Sequence, residues 1–178
     1  LGKGYGNLLA FGVFEQDNSA DPALLLRRGR VANGTPGVQT VDASRILEQV
    51  KYSWYAAADG NTPILQSDTN AQDPKAGAYS WLKAPRYDGV PYEVGPLARM
   101  TVTGEYTNGV STMDRHMARA RETLKIALAM RQWLAELPTY QGAYTHRANP
   151  GTATSDGLTE APRGALGHWL QVSTNKIG

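Results

Sequence analysis

The segment Ser111 to Leu137 constrains this chain most, because it is the one long stretch with a helical period. Met113, Met117, Ala120, Leu124, Ala127, Leu128 and Leu134 fall on one stripe. Ser111 or Thr112 stands at the N-cap, and Asp114 falls in the first turn, where the helix dipole favours a negative charge. Pro138 ends the run. The spacing predicts a helix over about residues 112–136, roughly 37 Å long at the usual rise per residue. Its apolar stripe is expected to be buried. Arg115, Arg119, Arg121, Lys125 and Arg131, with Asp114, Glu122 and Glu136, are expected to form a solvated face.

Elsewhere regular structure is interrupted. Leu8 to Phe14 is apolar with aromatics and reads as one buried strand. Asn33-Gly34 is a hairpin signal between Arg30-Val31 and Val38 to Val41. Asp42 has the place of an N-cap, and Ile46, Leu47 and Val50 share a stripe, so Ala43 to Tyr55 is expected to begin as a helix. Ala56 to Gly77 reads as a long connection, of the kind that is often functional or covered by a neighbouring subunit. Tyr79 to Met100 alternates prolines, glycines and aromatics with charged residues, which breaks regular structure repeatedly. Gln141 to Asp156 reads as a loop. Leu166 to Val172 alternates as a strand, with Ala161-Pro162-Arg163-Gly164 as its irregular lead-in. The expected class is α+β: loop-rich, with short strands and one long amphipathic helix.

Composition removes several chemistries. There is no cysteine, so disulfides, thiolate metal sites and cysteine nucleophiles are excluded within these residues. The net charge of +2 gives no clustered basic field and argues against nucleic acid. Mean hydropathy is −0.42, and no apolar run approaches the roughly 18–20 residues of a spanning helix. The termini, Leu1-Gly-Lys-Gly-Tyr-Gly6 and Thr174-Asn-Lys-Ile-Gly178, read as interior sequence without a secretory leader. His116, His146 and His168 lie 22–30 residues apart with no metal-binding spacing, and each is expected to be a hydrogen-bonded packing residue. Gly2 to Gly6 lacks the strand and the Gly-Lys-Ser/Thr of a phosphate loop.

Arg163 stands apart. Pro162 fixes the backbone on one side, and Gly164 lets it approach a neighbour closely on the other. A guanidinium so held suits recognition of an anion or polar ligand, and equally a plain ion pair at a strand end.

Glu160-Ala-Pro-Arg-Gly-Ala-Leu-Gly-His168 resembles a signature of the nickel–iron hydrogenase large subunit. Three further segments agree with it in order. They are Ala10-Phe-Gly-Val-Phe14; Lys83-Ala-Pro-Arg-Tyr87 with Glu93-Val-Gly-Pro-Leu-Ala-Arg-Met100; and Met113-Asp-Arg-His-Met-Ala-Arg-Ala-Arg-Glu-Thr123. The resemblance runs from Leu8 to Ile177 and is closest in flavour to the respiratory, uptake-type group. It implies that residues 1–178 form a single internal-to-late fragment of a larger fold, without the two Cys-x-x-Cys pairs that hold the family's metals. The fragment is expected to be inactive alone and to carry no nickel, iron or iron–sulfur cluster.

By the same resemblance, the parent chemistry is reversible oxidation of dihydrogen at a nickel–iron centre with cyanide and carbonyl ligands, with magnesium nearby. Arg163 matches the arginine over the open position between the metals, as electrostatic partner or as the base that takes the proton. A cysteine thiolate outside these residues is the rival base. Ala161 and Pro162 match the lead-in that packs against the diatomic ligands on iron. The implied partner is an iron–sulfur small subunit, in a periplasmic, membrane-associated setting. Cut from a larger core, the fragment is expected to bare apolar surface on Tyr79 to Met100 and on the long helix, and to self-associate. The competing reading is a non-catalytic homologue serving as a structural or quinone-facing subunit of a respiratory complex.

Overall fold

The computed structural model describes residues 4–17, 19, 22–56, 62–66, 70–139, 142, 144, 146, 148 and 151–177. A short strand, Leu8–Ala10 (β1), lies at the centre of the packing with all its residues buried. Strand geometry sends Leu8 and Leu9 to opposite faces. Leu8 joins one core with Leu26, Leu97, Met100, Tyr106 and Ala118. Leu9 joins a second with Phe11, Ile46 and Tyr87. Val13–Glu15 (β2) pairs antiparallel with Leu24–Leu26 (β3), and Gly29–Val31 (β4) pairs antiparallel with β1. Beyond β1, the Leu9 amide donates to the Glu93 carbonyl at 2.9 Å.

Leu8 to Phe14 is therefore two strands, not the single strand expected. The break falls at Phe11-Gly12. The Phe11 amide donates to the Glu160 carboxylate at 2.6 Å, which takes it out of any ladder. Gly12 has φ +79°, and a Cβ there would sit 2.5 Å from the Leu24 side chain.

After Asn33-Gly34 the chain returns antiparallel, with Arg30 bridged to Gln39 as the turn signal predicts. Asp42 does cap, accepting from the Ser44 amide at 2.9 Å, but only for the 3₁₀ turn Ala43–Arg45. The helix expected from Ala43 does not form. Ile46–Gln49 (β5) instead runs between Thr62–Pro63 (β6) and Ala84–Tyr87 (β7). The stripe of Ile46, Leu47 and Val50 is short, and pairing of Ile46 opposite Tyr87 outweighs local preference. In the connection from Ala56 to Gly77, residues 57–61 and 67–69 lie outside the described residues.

The stretch from Tyr79 to Met100 is more regular than expected, since it holds β7 and the start of a helix, Pro96–Thr103 (α1). Pro96 stands at the first helical position, where a missing N–H costs nothing, and Gly104 closes the helix in the left-handed conformation.

Thr112–Glu136 (α2) has the bounds that the periodicity predicts, and Ser111 and Asp114 cap each other reciprocally at its start. Its orientation is the reverse of that expected. Ala118 and Glu122 are its buried residues, whereas Met113 is 66%, Leu124 62% and Leu128 55% exposed. Part of the expected solvated face turns inward: Glu122 is buried and Arg115 and Lys125 are half-buried, all three paired, while Arg119, Arg121, Arg131 and Glu136 stay exposed. Arg115 meets Glu93, Glu122 meets Arg99 and Lys125 meets Glu105, each at 2.6 Å. Specific counter-charges thus decide the face, and the small Ala118 side chain allows close packing in the first core.

Ala153–Ala161 (β8), Gly164–Ser173 (β9) and Lys176–Ile177 (β10) form an antiparallel sheet in the order β10-β9-β8. The loop expected up to Asp156 ends earlier, because Ala153 already pairs with Val172. Of that loop, residues 141, 143, 145, 147, 149 and 150 lie outside the described residues. Leu158, Ala165 and Trp169 seat the sheet on the second core. Among the described residues no helix is long and apolar enough to cross a membrane.

Candidate functional site

Ala161 lies opposite Gly164, so Pro162-Arg163 is the two-residue turn joining β8 to β9. The lead-in read as irregular is this turn. It presses on the backbone just before α1. Gly95, the N-cap of α1, has φ +107°, and a Cβ there would lie 2.7 Å from the Arg163 carbonyl oxygen. On the opposite side of the contact, a Cβ on Gly164 would lie 2.4 Å from the Val94 side chain. The approach is possible only because both residues lack a side chain.

Beneath the turn lies Arg99, only 2% exposed. Its Nε and Nη2 donate to the two oxygens of Glu122 at 2.8 and 2.6 Å. Nη1 donates to Glu160 at 2.8 Å and to the Ala161 carbonyl at 3.0 Å. Nη2 also donates to the Pro162 carbonyl at 3.2 Å. All the N–H bonds of the guanidinium are therefore used. Burial works against the Arg99 charge, but the bonds from Glu122 and Glu160 outweigh it and hold the guanidinium above its ordinary pKa. Burial pushes the Glu160 carboxyl up, with the Arg99 and Phe11 bonds offsetting part of the rise.

Sequence reading missed this cluster and placed Glu122 on a solvated face. A usable signal was present. Arg99 stands between the apolar Pro96-Leu97-Ala98 and Met100, and a charge there must find a partner when buried.

Arg163 itself is exposed, and among the described residues no hydrogen bond or ion pair engages its side chain. Ala161 and Pro162 line a cavity of about 350 Å³ with Phe14, Arg119 and Ile126. A second cavity, of about 480 Å³, lies under β9 between Ile46, Tyr87, Leu166 and Trp169. The three histidines are exposed, contrary to the packing role expected for them, although His168 borders the second cavity.

Among the described residues no group of three or more His, Asp or Glu could hold a metal ion. Soft metals call for thiolates, and the sequence has none. Toward a group held by other residues, the site offers the exposed guanidinium of Arg163 on a fixed turn, with the exposed Arg119 at the neighbouring cavity.

The family model described as nickel-dependent hydrogenase matches residues 1–109 and 103–178. The chain is 34% identical to the periplasmic [NiFeSe] hydrogenase large subunit of Desulfomicrobium baculatum, over 99% of the chain and 38% of that protein. It is 31% identical to an uptake hydrogenase large subunit of Rhizobium leguminosarum bv. viciae, over 96% of the chain and again 38% of the relative. The structure of the reduced Ni-Fe-Se hydrogenase from D. vulgaris Hildenborough superposes with a TM-score of 0.88 at 37% identity. That match covers 99% of this chain and 41% of the other.

Proposed function

The chain belongs to the nickel-dependent hydrogenase family, and from that premise we propose that it is a section of a catalytic large subunit that oxidises dihydrogen reversibly to protons and electrons. The observation that carries this reading to a residue is Arg163: an exposed, unengaged cation on a turn whose two preceding carbonyls are gripped from below. The chain spans less than two fifths of the length of the relative from Desulfomicrobium baculatum. Residues 1–178 thus act as one unit of a larger fold, with the metal ligands supplied from elsewhere in the subunit.

When bound, a nickel–iron centre with cyanide and carbonyl on iron supplies the Lewis acidity and redox capacity that split dihydrogen unevenly; magnesium is a further ion of the intact subunit. Arg163 presents a planar, cationic donor fork to that centre. It steadies negative charge developing beside it; as the base it would have to act in its neutral form, because the guanidinium cation has no lone pair to accept a proton. Ala161 and Pro162 have their carbonyls turned to Arg99, which leaves their methyl and ring faces to pack against the diatomic ligands. Electrons leave through an iron–sulfur small subunit, and the setting is periplasmic and membrane-associated. A periplasmic relative supports the compartment. The relatives named above are hydrogenases, which leaves the non-catalytic, quinone-facing reading without support.

The test is Arg163→Lys in the intact subunit, with hydrogen oxidation measured beside metal content. Removing one preorganised donor at a reacting centre costs on the order of 10²–10³ in rate, so turnover should fall at least 100-fold with metal retained. Near-normal turnover at full metal loading would make Arg163 structural.

A further inference from the structure

Arg99 is a buried charge, 2% exposed, for which the function proposed above has no use. One carboxylate would neutralise it, yet it has two, and it reaches past them to the carbonyls of the last two residues before Arg163. The bidentate bond to Glu122 fixes the plane of the guanidinium. Glu160 fixes its other end and is in turn held by the Phe11 amide at 2.6 Å. The remaining donors then point in set directions, and those directions are filled by main-chain oxygens.

We propose that Arg99 is a positioning residue for Arg163: its guanidinium, locked between Glu122 and Glu160, clamps the Ala161 and Pro162 carbonyls and sets where the Arg163 side chain begins. The proposal rests on the role given to Arg163 above. A hairpin turn at the surface is otherwise among the least stable parts of a fold. Here it is held from below by Arg99 and from the side by the close contact of Gly95 and Gly164. Lysine at position 99 would keep the charge but not the fork, so it could not serve both carboxylates and both carbonyls. A misplacement of about 1 Å at a reacting centre can cost on the order of 10² in rate.

The first measurement is backbone ¹⁵N relaxation on the intact, isotopically labelled subunit. Order parameters at Arg163 and Gly164 should be near those of rigid backbone, about 0.85, and should fall below about 0.6 in Arg99→Lys while Ala118 to Glu122 stay rigid. Unchanged values at the turn would overturn the proposal. Loss of rigidity along α2 as well would do so equally, because Arg99 would then be holding the core. The second measurement is a double-mutant cycle in the metal-loaded subunit. Arg99→Lys should lower kcat by roughly 10–100-fold with metal content and KM retained. Added to Arg163→Lys, it should cause no further loss, the non-additivity expected when one residue acts through the other. Losses that multiply would refute the coupling. If Arg163→Lys alone keeps its turnover, the catalytic half of the proposal falls, and the clamp is still judged by the order parameters.

Discussion

Two arginines meet at one turn in opposite states: Arg99 has every donor used, and Arg163 has none engaged among the described residues. Between them the backbone leaves no room for change at Gly95, where a Cβ would lie 2.7 Å from the Arg163 carbonyl. Gly95→Ala should therefore destabilise the chain by about 1–3 kcal/mol, the usual cost of a strained backbone position, as read by denaturant unfolding. Glu160 gives a pH dependence of known sign. Its carboxyl is raised above an ordinary value of 4.5, chiefly by burial. A group raised on folding stabilises fully below its unfolded value and loses that contribution as pH rises through the folded one. The stability advantage of wild type over Glu160→Gln should shrink with rising pH across that window. An advantage that grows with pH would contradict the burial argument.

At the scale of elements, α2 turns charge inward and leaves its apolar stripe outside. Its inward charges each meet a counter-charge on another segment, Glu93, Arg99 or Glu105, and such pairs cost little to bury only when complete. In this chain, serine at Met113, Leu124 or Leu128 should change stability by no more than about 0.5 kcal/mol, as at most exposed positions. Ala118→Leu should cost about 1–3 kcal/mol, because that position is fully buried and overpacking is not relieved. Thermal or denaturant unfolding of these variants decides between the two faces. The reverse ranking would restore the orientation read from the apolar stripe.

At the scale of the whole molecule, two stretches carry exposed apolar side chains in groups. One is α2, with Met113, Leu124, Leu128 and Leu134; the other holds Tyr79, Trp81 and Leu82. A helix apolar on both sides is ordinarily packed on both. The rest of a large subunit would supply that second layer, since the chain matches only 38–41% of the relatives' lengths. Alone, the chain should self-associate in sedimentation as concentration rises, and it should bind a dye that reports apolar surface. A concentration-independent monomer with no dye signal would mean that these regions need no cover.

The bounds of α2 were legible because twenty-five residues of consistent period, a reciprocal cap and a closing proline all act locally. The family was legible from consecutive residues, whereas the turn at Pro162-Arg163 was read only as an irregular lead-in, because its partner strand Ala153–Ala161 carries no strand signal of its own. Which side of α2 faces inward was not legible, because both sides carry apolar residues and only distant charges break the tie. Arg99 meets Glu122 and Glu160 across 23 and 61 residues of sequence, separations that no period records. The helix expected from Ala43 gave way to β5 for a related reason: a stripe of a few residues is weaker than a strand partner brought in from Ala84–Tyr87. Local order is set by neighbours along the chain, so sequence determined it. The orientation of α2 and the clamp under Arg163 depend on charges brought together by folding, so only the tertiary structure decided them.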